Sequence, residues 1–529
     1  MTHSEKHSEK QSERTPITTE QLALFCKQKG FIFQSSELYG GLAGMFDFGP
    51  LGSNLKQNIK RQWWQNFVDS RQDVVGIDGA IISHANIWKA SGHVDNFEDI
   101  SLECMKCKQR FRGDHLVEDV LKIAADGLKK DAITKLVHDN KISCPNCKGQ
   151  LADAKQFNLM FSTNVGPVEG NTAYLRPETA QLMFTNFKLV VETARLKLPF
   201  GIAQQGKAFR NEISPRDFLF RCREFEQMEM EYFIHPEKLN DCPAINEVMD
   251  YSLKVYSAEM QEQKHKEKEM TIRDALEKKI IKTQWHAYWM VQFHQWFVSL
   301  GAKADHFRIR QHLSDEKSHY ALDTWDIEYD FPHGFKELMG FANRTDYDLR
   351  QHMKHSGKDL SLFDEESKQK VVPYVVAEPA LGVERSFLVF LFDAYHDDKV
   401  RGNIVLKLHP KLAPIKVGIF PLVNKLDQQA KEVYQLLKND FVCQFDRSGS
   451  VGKRYARSDE IGIPFCITYD FESIEDKSVT IRDRDSTNQI RVKIEELLSL
   501  LGRLLSCKVT FRELTKHYKK VAVKNGDEK

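Results

Sequence analysis

The stretch that decides the fold is GKAFRNEISPRDFLFRCREFEQMEMEYF, residues 206–233. Arginines and glutamates alternate in it with aromatic residues and methionines, on either side of a turn that contains Pro215. Because the side chains of a strand point alternately to its two faces, the pattern predicts a strand, a loop and a second strand. One face of the second strand is mostly polar and charged, and the other is expected to pack. The first face carries Arg221, Arg223, Phe225, Gln227, Glu229 and Glu231, and the second carries Cys222, Met228, Met230 and Tyr232.

These residue types suit the binding of a nucleotide and an amino acid. Arginine presents a planar set of donors to phosphate oxygens, the ring of Phe225 offers a flat surface to a purine, and Glu229 suits an ammonium group. A solvated edge strand also carries many charges. That alternative explains neither Phe225 among them nor the run Arg210-Asn211-Glu212 before the turn. We therefore predict a site for ATP and an amino acid.

Three segments resemble the signature motifs of class II aminoacyl-tRNA synthetases. FRNEISPRDFLFRCREFEQMEME, residues 209–231, resembles motif 2 and is similar in particular to that of glycyl-tRNA synthetases. A glycine-rich turn that leads into a long helix, Gly40 to Lys56, resembles motif 1, and Glu378 to Arg385 resembles motif 3. The resemblance implies an α+β fold whose catalytic domain is an antiparallel sheet flanked by helices. Because motif 1 forms the dimer interface in that family, it also implies a homodimer.

The composition is that of an ordinary globular protein. The chain has 529 residues, 41% of them hydrophobic and 29% charged, with a net charge of +1. This length predicts two or three domains, and the balanced charge argues against a generally basic nucleic-acid binder. No run of 18 apolar residues is present, so no membrane association is expected. Ten cysteines without an export signal indicate a reducing compartment, the cytoplasm.

Two pairs of cysteines have the spacing of a metal site. Cys104 and Cys107 form one pair, Cys144 and Cys147 form the other, and 36 residues lie between the pairs. Four thiolates in two such pairs suit one tetrahedral Zn2+, as in zinc ribbons. The long separation leaves four free thiols as the alternative. With four protein ligands the zinc would be structural, in a zinc-ribbon-like insertion over residues 100–150.

The rest of the chain divides by composition. Residues 1–16 repeat HSEK and are expected to be a disordered tail. We predict a catalytic domain over residues 17–408, with a solvated helical insertion at 236–300 for which contact with the tRNA acceptor arm is the alternative. Strands then alternate with helices over 410–508, which predicts an α/β domain. It resembles the anticodon-binding domain of class II enzymes, and a basic tail is expected at 509–529.

The resemblance assigns roles on ATP to residues of the motifs. Four are expected to be catalytic: Arg210 at the α-phosphate, Glu212 at the adenine amino group, and Arg221 and Arg385 at the phosphate tail. ATP is expected to bind with Mg2+, supported by Glu337. The full set expected to bind ATP is Arg210, Asn211, Glu212, Phe220, Arg221, Cys222, Arg223, Glu224, Phe225, Glu337, Leu338, Gly382, Val383, Glu384 and Arg385.

A second set is expected to bind glycine. By the same resemblance it comprises Arg112, Glu178, Phe225, Glu226, Gln227, Met228, Glu229, Glu378, Pro379, Ala380, Leu381 and Gly382. Pro177 is expected in the first turn of a helix and Glu178 near its positive end, where a capping carboxylate is the alternative role for Glu178. Ala380 departs from the family, which commonly has serine there, so one hydroxyl contact with glycine is absent.

The motifs together predict an enzyme that activates glycine with ATP and transfers it from glycyl-adenylate to the 3′ end of tRNA(Gly). Its partners would be ATP, glycine, tRNA(Gly) and a second copy of the chain. One alternative is a non-catalytic nucleic-acid-binding accessory protein on the same scaffold. Such a protein does not need the charged residues that amino-acid activation requires, yet all four are present: Arg210, Glu212, Arg221 and Arg385. A synthetase for another amino acid is the second alternative.

Overall fold

The computed structural model describes residues 17–521, apart from positions 124, 126, 168–169, 171, 315 and 317–320. The expected disordered tail, residues 1–16, lies outside the described residues, as do residues 522–529. Elements are numbered in chain order.

A nine-stranded sheet organises the first part of the chain. Its strands are β3 (Val74–Ile77), β10 (Phe200–Phe209), β11 (Glu224–Ile234), β12 (Ser252–Tyr256), β13 (Lys268–Thr271), β14 (Phe307–Gln311), β15 (Thr324–Phe331), β16 (Gly334–Ala342) and β19 (Tyr374–Gly382). Their order is β13-β12-β14-β15-β16-β19-β11-β10-β3. Neighbours are antiparallel except for β3 with β10 and β12 with β14. The predicted antiparallel catalytic sheet is confirmed.

Helices pack on both faces of this sheet. The helices of this part of the chain are α1 (Thr19–Lys29), α2 (Pro50–Trp64), α3 (Ala85–Ala90), α4 (His93–Asn96), α5 (Gly113–Leu121), α6 (Lys130–Asp139), α7 (Ala180–Thr185), α8 (Phe187–Ala194), α9 (Ala258–Glu262), α10 (Ile272–Glu277), α11 (Gln284–Ser299), α12 (Tyr347–Ser356) and α13 (Val383–Ala394). Helices α2, α11 and α13 share one apolar core with the methionines of β11, and α7, α8 and α12 form a second core on the opposite face. Within the described part of the chain, no helix is long and apolar enough to cross a bilayer.

The alternation read from the sequence is present in β11. Met228, Met230 and Tyr232 are at most 1% exposed and pack into the core with α2, α11 and α13. Glu229 and Glu231, on the other face, are also at most 1% exposed. Because both faces are covered, the charged side chains line a buried polar site and not a solvated surface.

Smaller sheets surround the main one. They are formed by β1 (Ile32–Gln34) with β2 (Phe46–Phe48); β4 (Ile82–His84), β9 (Thr172–Leu175) and β8 (Phe161–Asn164); β6 (Arg110–Arg112), β5 (Glu98–Glu103) and β7 (Lys155–Asn158); β17 (Leu362–Asp364) with β18 (Gln369–Val371); and β20 (Tyr395–Asp398) with β21 (Asn403–Leu406). The sheet of β5, β6 and β7 and helices α5 and α6 enclose a separate small core. Residues 100–150 therefore include a packed subdomain.

Residues 236–300 differ from the predicted solvated helical insertion. Strands β12 and β13 extend the nine-stranded sheet at one edge, and α11 is buried through Trp289 and Phe293, both 0% exposed. The lysines and glutamates that suggested solvated helices include Lys268 and Glu269 on the outermost strand. Exposed edge strands commonly carry charged side chains, so charge alone did not distinguish this strand from a helix.

The C-terminal part is the predicted α/β domain. Its sheet has the order β23-β22-β24-β25-β26, with β22 parallel to both β23 and β24. Its strands and helices are β22 (Val417–Pro421), β23 (Cys443–Phe445), β24 (Phe465–Tyr469), β25 (Ser478–Asp483), β26 (Gln489–Lys493), α14 (Asp427–Leu437), α15 (Val451–Glu460), α16 (Glu472–Asp476), α17 (Leu497–Leu505) and α18 (Phe511–Leu514). This domain has an apolar core of its own.

The predicted basic tail at 509–529 is in part folded. Phe511 and Leu514 are buried in the core of the C-terminal domain, and Lys520 forms a backbone bridge with Ile490. A reciprocal cap between Thr510 and Glu513 starts α18. The apolar residues between the lysines pack, so the domain continues to residue 521.

Helix α2 also contacts the segment between the two domains. Asn54 Nδ2 donates to the carbonyl oxygen of Pro414 at 3.2 Å. Asn58 Nδ2 donates to those of Leu412 at 3.1 Å and Ala413 at 3.0 Å. One face of the motif 1 helix is thus bonded to the main chain that leads into the C-terminal domain.

Candidate active site

A cleft of about 260 Å³ opens between β11, β16, β19 and the start of α13. All four residues predicted to be catalytic lie in its wall. The lining residues are Arg210, Glu212, Leu219, Phe220, Arg221, Cys222, Phe225, Gln227, Glu337, Leu338, Gly340, Ala380, Gly382, Glu384 and Arg385. The structure therefore brings motif 2 and motif 3 together around one space.

Arg210 and Phe225 of motif 2 form one wall of the cleft. The guanidinium carbon of Arg210 lies 5.4 Å from the centre of the Phe225 ring, and Arg210 Nε donates to the carbonyl oxygen of Pro177 at 3.1 Å. Nearby, Arg221 Nη1 lies 3.7 Å from Glu212 Oε2. The cleft thus offers an aromatic face to a base and guanidinium groups to phosphates.

Arg385 is oriented by three contacts at the opposite wall. Its guanidinium carbon lies 4.5 Å from the ring centre of Phe220. Its Nη1 donates to the carbonyl oxygen of Glu337 at 2.8 Å and lies 3.2 Å from Glu337 Oε1. The Arg385 charge lowers the pKa of Glu337, so this carboxylate stays ionised and is suited to a hard cation.

Buried polar groups continue along β11 beyond the cleft. Glu229 Oε2 accepts from the backbone N–H of Thr179 at 3.1 Å and from its hydroxyl, and Gln227 Oε1 accepts from the same N–H at 3.1 Å. These bonds hold Thr179 on the sheet. Helix α7 begins at Ala180, so the prediction that Pro177 lies in its first turn is wrong, while Glu178 does lie near the N-terminus of the helix, just before Thr179.

Glu178 is bound by side chains of other elements. Gln181 Nε2 donates to Glu178 Oε1 at 3.0 Å, and His93 Nε2 lies 3.3 Å from Glu178 Oε2. Burial alone would raise the pKa of Glu178, but the contacts with His93, Arg344 and Gln181 lower it overall. This carboxyl group is ionised, and its contacts with the side chains of Gln181 and His93, not with the first backbone N–H groups of α7, argue against the capping alternative.

Arg344 organises the far end of the site. Its Nη1 donates to Glu378 Oε1 at 2.7 Å, while Nε and Nη2 donate to the two carboxylate oxygens of Asp348 at 2.7 and 2.9 Å. Asp348 also accepts from Gln181 Nε2 at 2.9 Å. The sequence reasoning missed Arg344 and Asp348. Their i,i+4 spacing at the start of α12 is a detectable signal, although such pairs usually lie on a helix surface.

At this end of the site carboxyl groups outnumber cationic side chains, and the pKa values of two of the carboxyl groups are raised. Burial and the charge of Glu178 raise the pKa of Glu229 to about 7. Burial raises the pKa of Glu378 to about 8 despite Arg344. A cluster with this charge balance favours an incoming cation such as an ammonium group.

Several residues predicted to bind glycine lie on the other side of the sheet. Glu226 Oε1 is 2.8 Å from Lys56 Nζ, and Met228 and Leu381 are 0% exposed within the core of α2 and α13. Pro379, opposite Phe341 in β16, alternates with Glu378 and Ala380. Since neighbouring residues of a strand face opposite ways, these four residues do not reach the face that carries Glu229.

Some residues predicted to bind ATP instead hold the backbone. Arg223 donates to the carbonyl oxygens of Glu212 at 2.8 and 3.0 Å and of Ala43 at 2.9 Å, which joins the motif 1 and motif 2 loops. The Asn211 N–H donates to Leu159. Glu224 pairs with Lys207 on β10.

Three further predicted residues have structural contacts. Val383 is buried in the core, and Glu384 lines the cleft while accepting from Lys56. Arg112 lies in the insertion, where Nε donates to Asp114 at 2.9 Å and Nη1 is 3.5 Å from Asp99. Arg112 is not among the lining residues of the cleft.

The four predicted metal ligands come together. The sulfur atoms of Cys104 and Cys147 are 3.4 Å apart, those of Cys107 and Cys144 are 3.6 Å apart, and all four lie within 4.8 Å of one another. Zinc–sulfur bonds of about 2.3 Å in a tetrahedron place sulfurs about 3.8 Å apart. The Cys107 N–H also donates to Cys104 Sγ at 3.4 Å, a contact common in thiolate knuckles. The arrangement fits one zinc ion.

Known families match both parts of the chain. Residues 167–394 match the tRNA synthetase class II core domain (G, H, P, S and T), and residues 416–504 match an anticodon binding domain. A crystal structure of prolyl-tRNA synthetase from Cryptosporidium parvum, complexed with L-proline and AMP, superposes with a TM-score of 0.54 at 15% identity. It covers 92% of this chain and 78% of that chain, and it shows the fold alone.

Curated relatives are more specific. The glycine–tRNA ligase of Caldanaerobacter subterraneus is 44% identical over 491 residues, which is 91% of this chain and 97% of the relative. The glycine–tRNA ligase of Geobacillus thermodenitrificans is 43% identical over 500 residues, 92% of this chain and 98% of the relative. On this similarity, and with a class II core and an anticodon-binding domain in the expected order, the chain belongs to the glycine–tRNA ligase family.

Proposed function

We propose that the protein joins glycine to tRNA(Gly) in two steps, through glycyl-adenylate. The observation that carries the proposal is the course of β11. Its residue Phe225 lines a cleft with three arginines, and four positions further along Glu229 enters a buried carboxylate cluster. One strand therefore supports a nucleotide at one end and an ammonium group at the other.

Activation requires alignment and charge stabilisation more than proton transfer. A glycine carboxylate oxygen attacks the α-phosphorus of ATP, the bond to the β-phosphate oxygen breaks, and pyrophosphate leaves. Arg210 is placed for the α-phosphate, Phe225 for the adenine ring, and Arg221 and Arg385 for the leaving pyrophosphate. Because the attacking carboxylate is already ionised at neutral pH, the rate comes from these fixed charges. Glu337 would hold the Mg2+ that accompanies ATP.

Glycine would be selected by charge and by lack of space. Glu178, Glu229 and Glu378 present carboxylates to the ammonium group. The register places Glu229 opposite Ala380, and Ala380 opposite Gly340. Both small residues line the cleft, and Ala380 adjoins Glu229 across the strand pair. A substrate side chain would collide with the strand backbone there, so exclusion needs no editing site.

Further parts of the proposal concern assembly. Zinc bound by Cys104, Cys107, Cys144 and Cys147 would stabilise the small core of the insertion. The C-terminal domain would bind the anticodon, since its family model describes an anticodon-binding domain. A homodimer would form through motif 1, where Leu38 and Tyr39 are each 88% exposed beside the glycine-rich turn.

The test of the function is glycine-dependent exchange of labelled pyrophosphate into ATP by the purified protein. We expect exchange with glycine and at most background exchange with alanine or serine. Arg210→Ala is expected to remove the activity without loss of folding. Exchange with alanine or serine but not glycine would contradict the assignment. RNA binding without exchange would favour the accessory-protein alternative.

A further inference from the structure

Glu231 is a buried carboxyl group with no function in the proposed chemistry so far. It follows Glu229 by two positions on β11 and is 0% exposed. Neither of its carboxylate oxygens has a hydrogen-bond partner among the described residues. An ionised carboxylate in such surroundings is strongly destabilised, so the group must be either protonated or paired with a bound cation.

The strand register brings Glu231 next to Glu378. Glu229 pairs with Ala380 and Tyr232 pairs with Ala377, so Glu231 lies directly across from Glu378 on β19. Oxygen atoms of Glu229, Glu231 and Glu378 all lie within 4.8 Å of one another. Two carboxyl groups at this separation away from water cannot both be ionised without a cation between them.

The charges around the cluster do not compensate for it. Glu178 before α7 and Asp348 in α12 add negative charge, while Arg344, Arg210 and Arg176 add positive charge. Arg344 is bonded to Glu378 and Asp348, Arg210 lies in the cleft wall, and Arg176 donates to the carbonyl oxygens of Lys207 and Gly79. The cluster therefore has a deficit of positive charge when no ligand is bound. His93 faces Glu178, and His352 lies 2.8 Å from Gln181, which separates it from the glutamates.

We propose that Glu231 is a positioning residue of the amino-acid site: it shares one proton with Glu378 while the site is empty, and that proton leaves when the ammonium group of glycine binds. The inference rests on the proposed function, because it assigns the incoming cation to glycine. The proton and the ammonium group each supply one positive charge, so the cluster keeps the same balance in both states. Glu231 acts through Glu378 and does not need to contact glycine.

The pKa directions of the cluster agree with this role. Burial and the neighbouring Glu378 raise the pKa of Glu231 well above its usual value. The pKa of Glu378 is raised to about 8, also by burial. At neutral pH the pair thus retains a proton in the ligand-free protein. Because glycine binds the ionised form of Glu378, acidification should weaken binding, so KM for glycine should rise as pH falls below about 8.

Two matched ligands test the proposal by calorimetry. Glycylsulfamoyl adenosine carries the α-ammonium group, and acetylsulfamoyl adenosine is the same molecule with hydrogen in place of that group. Binding enthalpies measured at one pH in buffers of different ionisation enthalpy give the number of protons released. The wild-type protein is expected to release about one proton with the glycyl compound and none with the acetyl compound. No release with the glycyl compound, or equal release with both, overturns the proposal.

The variant Glu231→Gln tests the contribution of Glu231 independently of the other carboxyl groups of the cluster. The amide keeps the shape of the side chain but has no acidic proton to share, so Glu378 should be ionised before ligand binds. Proton release with the glycyl compound should fall to less than half the wild-type value. In the wild type, KM for glycine should rise about fivefold or more between pH 8.5 and pH 6.5, and in the variant this rise should be smaller. Release equal to that of the wild type would overturn the role of Glu231.

Controls distinguish this inference from the function itself. Glu269→Gln makes the same change on the exposed edge strand β13 and should behave as the wild type. If Glu231→Gln does not fold, as judged by circular dichroism, the two-ligand comparison on the wild type still decides. Wild-type glycine-dependent exchange without proton release would reject only the inference. Absence of exchange would reject the proposed function.

Discussion

Lys56 and Glu384 form an ion pair inside the protein, with Lys56 Nζ 3.0 Å from Glu384 Oε1 and their side chains 9% and 5% exposed. The same ammonium group is 2.8 Å from Glu226 Oε1, and Glu384 Oε2 accepts the Glu226 N–H at 2.9 Å. The pair thus joins the helix of motif 1, the strand of motif 2 and the helix of motif 3. Phe225 and Arg385, which line the cleft proposed to bind ATP, are the immediate sequence neighbours of these two glutamates.

Lys56→Met should therefore affect both stability and ATP binding. It leaves the buried Glu384 without its cation and Glu226 with Lys60 alone, which should cost about 3 to 5 kcal/mol of unfolding free energy. Because Phe225 and Arg385 then lose their alignment, we expect a higher KM for ATP in the exchange assay. Lys399→Met removes a pair whose lysine is 77% exposed and should change neither quantity. A stable Lys56→Met protein with wild-type KM for ATP would contradict the positioning role.

Ala380→Ser is expected to improve glycine binding. Ala380 lines the cleft opposite Glu229, and a serine hydroxyl there would supply one additional hydrogen bond to the substrate. One hydrogen bond contributes about 1 kcal/mol, so KM for glycine should fall about fivefold. KM for ATP serves as the internal control and should not move. An unchanged or higher KM for glycine would show that position 380 does not contact the amino acid.

Gly340→Ala tests exclusion by lack of space. A Cβ at Gly340 would have Asp326 Oδ1, at 3.6 Å, as its nearest neighbour, which is ordinary contact, so the fold should accept the substitution. The methyl group would occupy space beside Ala380 in the cleft, and displacement of glycine should lower kcat/KM by about 100-fold. The control is Gly452→Ala in α15, where no atom lies within 4 Å of the added Cβ. Full activity of Gly340→Ala would mean that glycine binds elsewhere.

Zinc removal should unfold the insertion locally. Protein purified without chelator is expected to contain about one zinc per chain by atomic emission. Cys144→Ser should lower that content and the melting temperature, because the thiolates of Cys104, Cys107 and Cys147 would lose their shared ion. Cys507→Ser, at an exposed cysteine outside the cluster, is the matched control. Wild-type protein that lacks metal and keeps full protection of residues 100–150 in hydrogen exchange would reject the site.

The sequence predicted which residues come together in the cleft because their signals are local. Arg210, Phe225 and Arg385 lie in contiguous motifs, and the period of two along β11 placed Glu229 and Glu231 on one face. That same period placed Glu226 and Met228 on the other face, yet the motif resemblance grouped them with the glycine ligands. The strand period was the correct guide, because both residues pack on the face of the sheet opposite to Glu229.

The far end of the site could not be predicted in the same way. Arg344 reaches Glu378 from 34 positions earlier in the chain, and Gln181 reaches Asp348 across 167 positions. Such contacts depend on how α7 and α12 pack over the sheet, which no local pattern specifies. Strands β12 and β13 were missed for a related reason. The charged residues of the outermost strand, β13, fit an edge strand as well as a solvated helix, and only its pairing with β12, which in turn pairs with β14, distinguishes the two.

The bonds from Asn54 and Asn58 to residues 412–414 have a consequence for the whole tRNA. The helix that supplies them also bears Lys56, so one helix contacts both the connection to the C-terminal domain and Glu384 in the wall of the cleft. This helix would then fix the distance between the cleft and the C-terminal domain. A tRNA seated by its anticodon would present its acceptor terminus at the adenylate only if its own length matches.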